Sequence, residues 1–304
     1  MSRRHTTAGL FVLLAAIWGT SFVAARATLS DIPPVLLAAF RFDIAGLLVL
    51  MYAVVTAETW VPTSQSDWVN VVLGGLLFVA LHHALLFAGQ QYVTSAVAAV
   101  IVCLDPILAA MFSRVLLPSE RLSWVGGVGV LCGVLGVGII ANPSSDAVLG
   151  ADGRGVLLVF FAAAAFALGA VVTRRSRTDL PVQSMQAWMM LVGAPVLHGA
   201  AFILPGEDLS AVTWSFSAVA GLAYLAVVAA GVGYFVYFEL LDRVGPIEIN
   251  LVAYCVPVSA AIGGWLVLGE QLQSRTVVGF GVILVGFVLV KRDAISAELR
   301  SLGV

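Results

Sequence analysis

The sequence predicts an all-α integral membrane protein: ten transmembrane helices, arranged as two inverted five-helix repeats with both termini inside. Three observations carry that prediction. Apolar residues make up 61% of the chain and charged residues only 11%, at a mean hydropathy of +1.05. Soluble domains average about 25% charged residues, so this chain cannot furnish a polar shell. Residues 68–104 hold no Asp, Glu, Lys or Arg, which leaves room for two spans of roughly 18 to 20 residues each. The third observation is internal: the pattern of residues 95–140 returns in residues 247–290.

In the first copy Pro106 interrupts an apolar run, a charged hinge holds Glu120 and Arg121, and a glycine-studded run carries Gly129 and Gly136. In the second copy Pro257 interrupts the run, the hinge holds Glu270, and Gly279 and Gly286 follow. The glutamates and glycines are offset by 150 and the prolines by 151. The chain therefore divides into a first repeat over 1–149, a second over 150–292, and a short tail over 293–304. The expected spans are 7–27, 34–56, 68–90, 94–116 and 123–141, then 154–173, 183–204, 215–241, 246–268 and 275–291. Trp68, Trp124 and Trp214 fall at span ends, where aromatic anchors belong. The N-terminal residues imitate a signal peptide, but the apolar run continues and has a counterpart opening the second half, so it reads as a span.

Orientation follows from the basic residues. Eleven of the fifteen Lys and Arg fall at ends on the N-terminal side of the membrane, three (Arg26, Arg154, Arg275) on the other, and Arg41 lies within a span. The bias puts both termini in the cytoplasm of a multi-pass protein of the cell inner membrane. Five is odd, so the second repeat enters the membrane in the opposite sense to the first. Inverted repeats are characteristic of transporters, whose halves rock about a midplane site.

Ile17-Trp18-Gly19-Thr20-Ser21-Phe22-Val23 in the first span, Phe40-Arg41-Phe42 in the second, and the Pro106…Glu120 and Pro257…Glu270 hinges resemble the EamA family of the drug/metabolite transporter superfamily. The resemblance spans nearly the whole chain. It departs in the second half, which lacks a tryptophan where Trp18 would map, near Leu168. The resemblance implies a small-metabolite carrier, often an exporter of amino acids, with a central cavity lined by both halves and the fifth and tenth spans outside it.

Site candidates are the costly residues that one half has and the other lacks. Asp105 lies close to the midplane, where a carboxylate is the most expensive feature of the chain. It could pair with Arg41, bind a substrate ammonium or carry a proton. Arg41 needs a partner or water at its depth: Asp43, or a substrate carboxylate taken in bidentate fashion. Together Arg41 and Asp105 would fix the two ends of a zwitterion. His82 and His83 sit mid-span and could couple transport to protons, with at most one facing the cavity. Trp18 and Tyr234 could offer aromatic faces, against the plainer reading of core filler. Pro106, Pro257, Glu120 and Glu270 read as structural hinges, the glutamates favouring the positive end of the helix that follows each. The glycines of the fifth and tenth spans read as helix-packing residues.

The expected function is a secondary transporter moving small organic metabolites by alternating access, with an amino-acid exporter as the leading case. A proton-coupled exporter of drugs or lipophilic cations, binding through Asp105, is the alternative. An intramembrane enzyme is least favoured, because the chain has no HExxH, GxSxG or P-loop motif. Cys103, Cys132 and Cys255 lie in apolar runs without disulfide or zinc spacing. No cofactor or metal is expected, no basic cluster suggests nucleic acid, and the expected partners are a small-molecule substrate and the lipid bilayer. The chain is expected to be a monomer or a weak homo-oligomer.

Overall fold

The computed structural model describes residues 3–116, 124–141, 151–175, 178–249 and 251–301. Among them the fold is helical throughout, with no strand. α1 (Arg3–Thr28) and α2 (Pro34–Thr56) are continuous. The next run joins α3 (Gln65–Gly74), a π-helical segment (Gly75–Leu81) and α4 (His82–Gln90). Then come α5 (Ser95–Val102), α6 (Asp105–Leu116), α7 (Trp124–Ala141), α8 (Ala151–Arg175) and α9 (Val182–Ile203). α10 (Phe216–Ala223), a second π segment (Tyr224–Val232) and α11 (Gly233–Ile249) form another long run, followed by α12 (Val252–Leu268) and α13 (Ser274–Ser301). Eight of these runs are long and apolar enough to cross a membrane, and Val252–Leu268 and Ser274–Val290 are shorter apolar helices. The expected start of the ninth span at 246 is corrected: α11 continues to Ile249 and α12 begins at Val252.

Close backbone approach explains the glycines. A Cβ on Gly129 would lie 2.6 Å from the Gly286 carbonyl oxygen, and one on Gly136 would lie 2.7 Å from that of Gly279. Numbers rise along α7 as they fall along α13, so the two helices run antiparallel through a seam only glycine permits. Gly19 of α1 likewise faces Ser259, Val256 and Ala260 of α12. Other large pairings join α2 to α9 and α8 to α4 and α6.

Helix starts are fixed by capping, in places from far away in the chain. Pro33 and Pro181 precede α2 and α9 with nearly the same backbone, φ/ψ −54°/144° and −53°/144°, which suits a residue at a helix entrance. The α2 start is capped by Glu207, whose Oε2 accepts from the Val35 and Leu36 N–H groups at 3.0 and 3.1 Å. Ser64 and Asp67 form a capping box at α3.

The two hinge prolines behave differently. α5 stops at Val102 and α6 restarts at Asp105, so the helix is broken at Cys103 and Leu104, just ahead of Pro106. Pro257 lies inside the continuous α12. Glu270 is an anchor, but of a different helix from the one expected. Its carboxylate accepts from the Ser95 N–H at 3.0 and 3.1 Å and from the Ser95 hydroxyl at 3.1 Å, capping α5 and not the following α13. Gly269, at φ 66°, turns the chain after α12, and Glu270 folds back over Gly264, where a Cβ would meet its carboxylate. Glu120 lies outside the described residues.

Candidate functional site

Arg41 is carried inward on α2 and is 9% exposed. Asp43 does not balance it, because Asp43 accepts from His198 Nε2 at 2.8 Å. Among the described residues no carboxylate lies within ion-pair reach of Arg41, and its Nε–H is buried without an acceptor. Its guanidinium carbon instead lies 5.2 Å from the Phe42 ring centroid and 5.9 Å from that of Phe87, within cation–π range. Tyr234 and both His82 and His83 lie within electrostatic reach of it.

The two histidines part company. His82 is buried and its Nδ1–H donates to the Ala162 carbonyl at 2.9 Å, which spends it on packing α4 against α8. His83 turns the other way: its ring meets Phe42 edge-on with centroids 4.5 Å apart. Its Nδ1–H lies 3.1 and 3.2 Å from the Phe78 and Val79 carbonyls of the first π segment. A carbonyl acceptor requires the proton on Nδ1, so the neutral His83 keeps Nε2 as an acceptor.

From α11, Tyr234 completes the cluster. Its hydroxyl accepts from Gln186 Nε2 at 3.2 Å, and its ring stands 6.1 Å from Trp18 and 5.9 Å from Phe238. Trp18 also meets Tyr237 at 5.7 Å, and it fits because Gly233 has no Cβ, which would sit 2.8 Å from the indole Nε1. The second π segment opens on Tyr224, whose hydroxyl is 2.6 Å from the Thr20 hydroxyl. Five sequence candidates, Trp18, Arg41, His82, His83 and Tyr234, are thus linked in one neighbourhood through Phe42, Phe87 and Tyr237. Gln186, Tyr237 and Gly233 were missed. Tyr237 follows Tyr234 by one helical turn, and Gln186 is a polar residue inside an apolar run, so both left a signal.

Asp105 stands elsewhere. It forms no ion pair with Arg41; Cys103 and, from α12, Tyr254 lie within electrostatic reach of it. Asp105 is the first residue of α6 but does not cap it. The Ile107 and Leu108 N–H groups both go to the Leu104 carbonyl at 2.9 Å instead. Asp105 Oδ1 is left buried with no partner, and so is the Tyr254 hydroxyl. A groove of about 900 Å³ between the ends of α1 and α11, lined by Phe11, Glu239 and Arg243 among others, includes none of these candidates. Among the described residues no three metal-ligating side chains gather.

A chain of long apolar helices with a buried guanidinium among aromatic rings is a multi-pass membrane protein with a cationic group in its interior. The model of the EamA-like transporter family matches residues 6–142 and again 153–292. The chain belongs to that family, within the drug/metabolite transporter superfamily, and is a membrane transporter. It is 30% identical over 284 residues to the uncharacterized inner membrane transporter YedA of Escherichia coli K12, covering 93% of this chain and 89% of the relative. It is 25% identical to an uncharacterized transporter of Archaeoglobus fulgidus, over 93% and 98% of the two chains. One crystal structure superposes at a TM-score of 0.65 over 97% of this chain and 99% of its own, at 20% identity; that likeness concerns the fold alone.

Proposed function

We propose that this transporter moves small organic metabolites that carry a carboxylate, amino acids first among them, by alternating access between two inverted five-helix repeats. The observation that carries the reading is Arg41. A buried guanidinium with no carboxylate partner among the described residues, flanked by Phe42, Phe87 and Tyr234, is matched to a substrate carboxylate. The aromatic faces of Trp18, Tyr234 and Tyr237 suit the body of that substrate. Asp105 does not share these surroundings, so the amino end of a zwitterion is assigned to the aromatic faces and not to Asp105.

The inverted arrangement draws support from three symmetric details, while both termini in the cytoplasm follow from the distribution of the basic residues. Gly129 pairs with Gly286 and Gly136 with Gly279, an exchange expected when residues offset by 150 face each other across a twofold axis. Pro33 and Pro181 open α2 and α9 alike. The two π segments begin at 75 and 224, at matching places in the two halves. Export as the direction rests on the family alone.

The test is uptake of a labelled amino-acid panel into proteoliposomes by wild type, Arg41→Ala and Arg41→Lys. Losing a charge-assisted pair worth roughly 1.5–3 kcal/mol should cut flux of the accepted substrate about 10- to 100-fold in Arg41→Ala. Arg41→Lys should recover only part, since the planar fork is gone. Unchanged flux in Arg41→Ala would remove the carboxylate assignment. The orphaned Asp105 Oδ1 favours the second reading, a lipophilic-cation exporter. Cation flux that survives Arg41→Ala and disappears in Asp105→Asn would install it.

A further inference from the structure

A carboxyl group in the middle of an apolar helix bundle ordinarily meets one of three fates: a cationic partner, a set of hydrogen-bond donors, or neutralisation by a proton. For Asp105 the first two are missing. No cation of the described residues pairs with it, and the N–H groups beside it are committed to the Leu104 carbonyl. Its Oδ1 is buried with no partner, and on α12 the Tyr254 hydroxyl is buried in the same condition and lies within electrostatic reach. Two orphaned polar groups, from different helices, thus converge on the break at Cys103 and Leu104. The orphaning is not a matter of loose packing, because the Tyr254 ring packs against Phe287 of α13 with centroids 4.3 Å apart and the planes tilted by 43°.

We infer that Asp105 and Tyr254 form a proton-binding site at the α5–α6 break, separate from the Arg41 cluster, and that loading it couples transport to a proton gradient. The ligand is a proton and not a metal ion, because hard cations take six or more oxygens. This place offers one carboxyl group and one phenol, with the Cys103 thiol donating to the Ala253 and Ala99 carbonyls at 3.1 and 3.4 Å. Proton balance is simple: the neutral acid releases one proton, and the resulting carboxylate takes the Tyr254 O–H as a donor. Titratable groups facing Asp105 are Cys103 on the break itself and Tyr254 on α12, with Cys255 of α12 next to Cys103. α7, α8 and α13 bring no described charge to it.

The proposal stands apart from the amino-acid reading, and two measurements keep them distinguishable. The first needs no substrate: infrared difference spectra of the lipid-reconstituted protein, taken between acidic and alkaline buffer in H2O and D2O. Wild type should show the carbonyl band of a protonated carboxylic acid that is lost in Asp105→Asn and displaced in Tyr254→Phe. A full set of acid bands surviving in Asp105→Asn would overturn the site, as would a spectrum of Tyr254→Phe identical to wild type. The second is flux of an accepted substrate with and without a tenfold proton gradient. Wild type should be stimulated, and Asp105→Asn should give the same rate in both conditions. Stimulation retained in Asp105→Asn, or lost in His83→Gln while Asp105→Asn keeps it, would overturn the coupling. Failure of every amino acid to move would reject the substrate assignment and leave the infrared result to decide the site.

Discussion

Replacing Gly129 by alanine tests the seam between α7 and α13 in a way that separates contact from helix propensity. The added methyl would lie 2.6 Å from the Gly286 carbonyl oxygen, 2.8 Å from Val290 Cγ2 and 3.0 Å from the Val290 nitrogen. Ordinary contact begins at 3.4 Å, so the two backbones must part by 3.4 − 2.6, about 0.8 Å. Forcing a methyl into a packed interface costs about 1–3 kcal/mol, while alanine in place of glycine in a helix returns about 0.5–1 kcal/mol. Gly129→Ala should therefore be destabilised by about 0–2.5 kcal/mol. Gly127, two residues away on the same helix, has nothing within 4 Å of its Cβ position, and Gly127→Ala should gain the propensity alone. The gap between the variants is then about 1–3 kcal/mol, or several degrees in midpoint at about 2–4 °C per kcal/mol for chains of 150–250 residues. Thermal unfolding of both variants in one detergent measures it. Equal shifts for the two would refute the close seam, and Gly286→Ala should reproduce Gly129→Ala because its methyl meets the Gly129 carbonyl at 2.6 Å.

Two further predictions concern the long-range caps. Glu270→Ala removes the acceptor of the Ser95 N–H and leaves its hydroxyl only the Phe22 carbonyl at 3.4 Å, and should cost about 1–3 kcal/mol; Gly264→Ala, which occupies the space of the carboxylate, should reproduce much of that loss in the same unfolding assay. Glu207→Ala should lose about 1–2 kcal/mol as a lost cap, whereas Glu207→Gln, which keeps an acceptor oxygen, should stay within about 0.5 kcal/mol of wild type. Burial raises the Glu207 carboxyl above its ordinary 4.5 against the pull of the Val35 and Leu36 N–H groups. The ionised form is thus the disfavoured one in the folded chain. Stability from this group is present below about pH 4.5 and falls as pH rises through the raised folded value. Unfolding followed from about pH 4 to pH 8 should show that component in wild type and not in Glu207→Gln, and a Gln variant with the wild-type slope would exclude it.

What could be read from the sequence was whatever repeats or costs much. Glycines offset by 150 announced close packing because nothing else explains glycine in an apolar helix. Arg41 and Asp105 announced themselves by the expense of charge in lipid. What could not be read was who meets whom. Nothing in the order of residues says that Asp43 turns to His198 and leaves Arg41 alone, or that Glu270 reaches Ser95 from 175 residues away. Pro106 and Pro257 look equivalent in sequence, yet one follows a break and the other lies in an unbroken helix, because the neighbouring turns differ. The π segments leave no mark in composition, since a wide turn is set by packing around it and not by residue type. Tyr237 and Gln186 were legible in retrospect, but one aromatic and one amide among many apolar residues do not distinguish themselves until a ring and a hydroxyl are found beside them.

The largest helix pairings, α7 with α13, α2 with α9 and α1 with α12, each join a helix before residue 142 to one after residue 151. Synthesis therefore delivers the chain in an awkward order. At roughly 5–20 residues per second, the earlier helices wait on the order of ten seconds or more in the bilayer before their counterparts emerge. During that wait the glycine face of α7 has only lipid against it, and the α5 start has no Glu270. The nascent first half is thus a client for whatever in the membrane shelters unpaired helices, and a chain cut between the halves has to find its other piece before it has a fold.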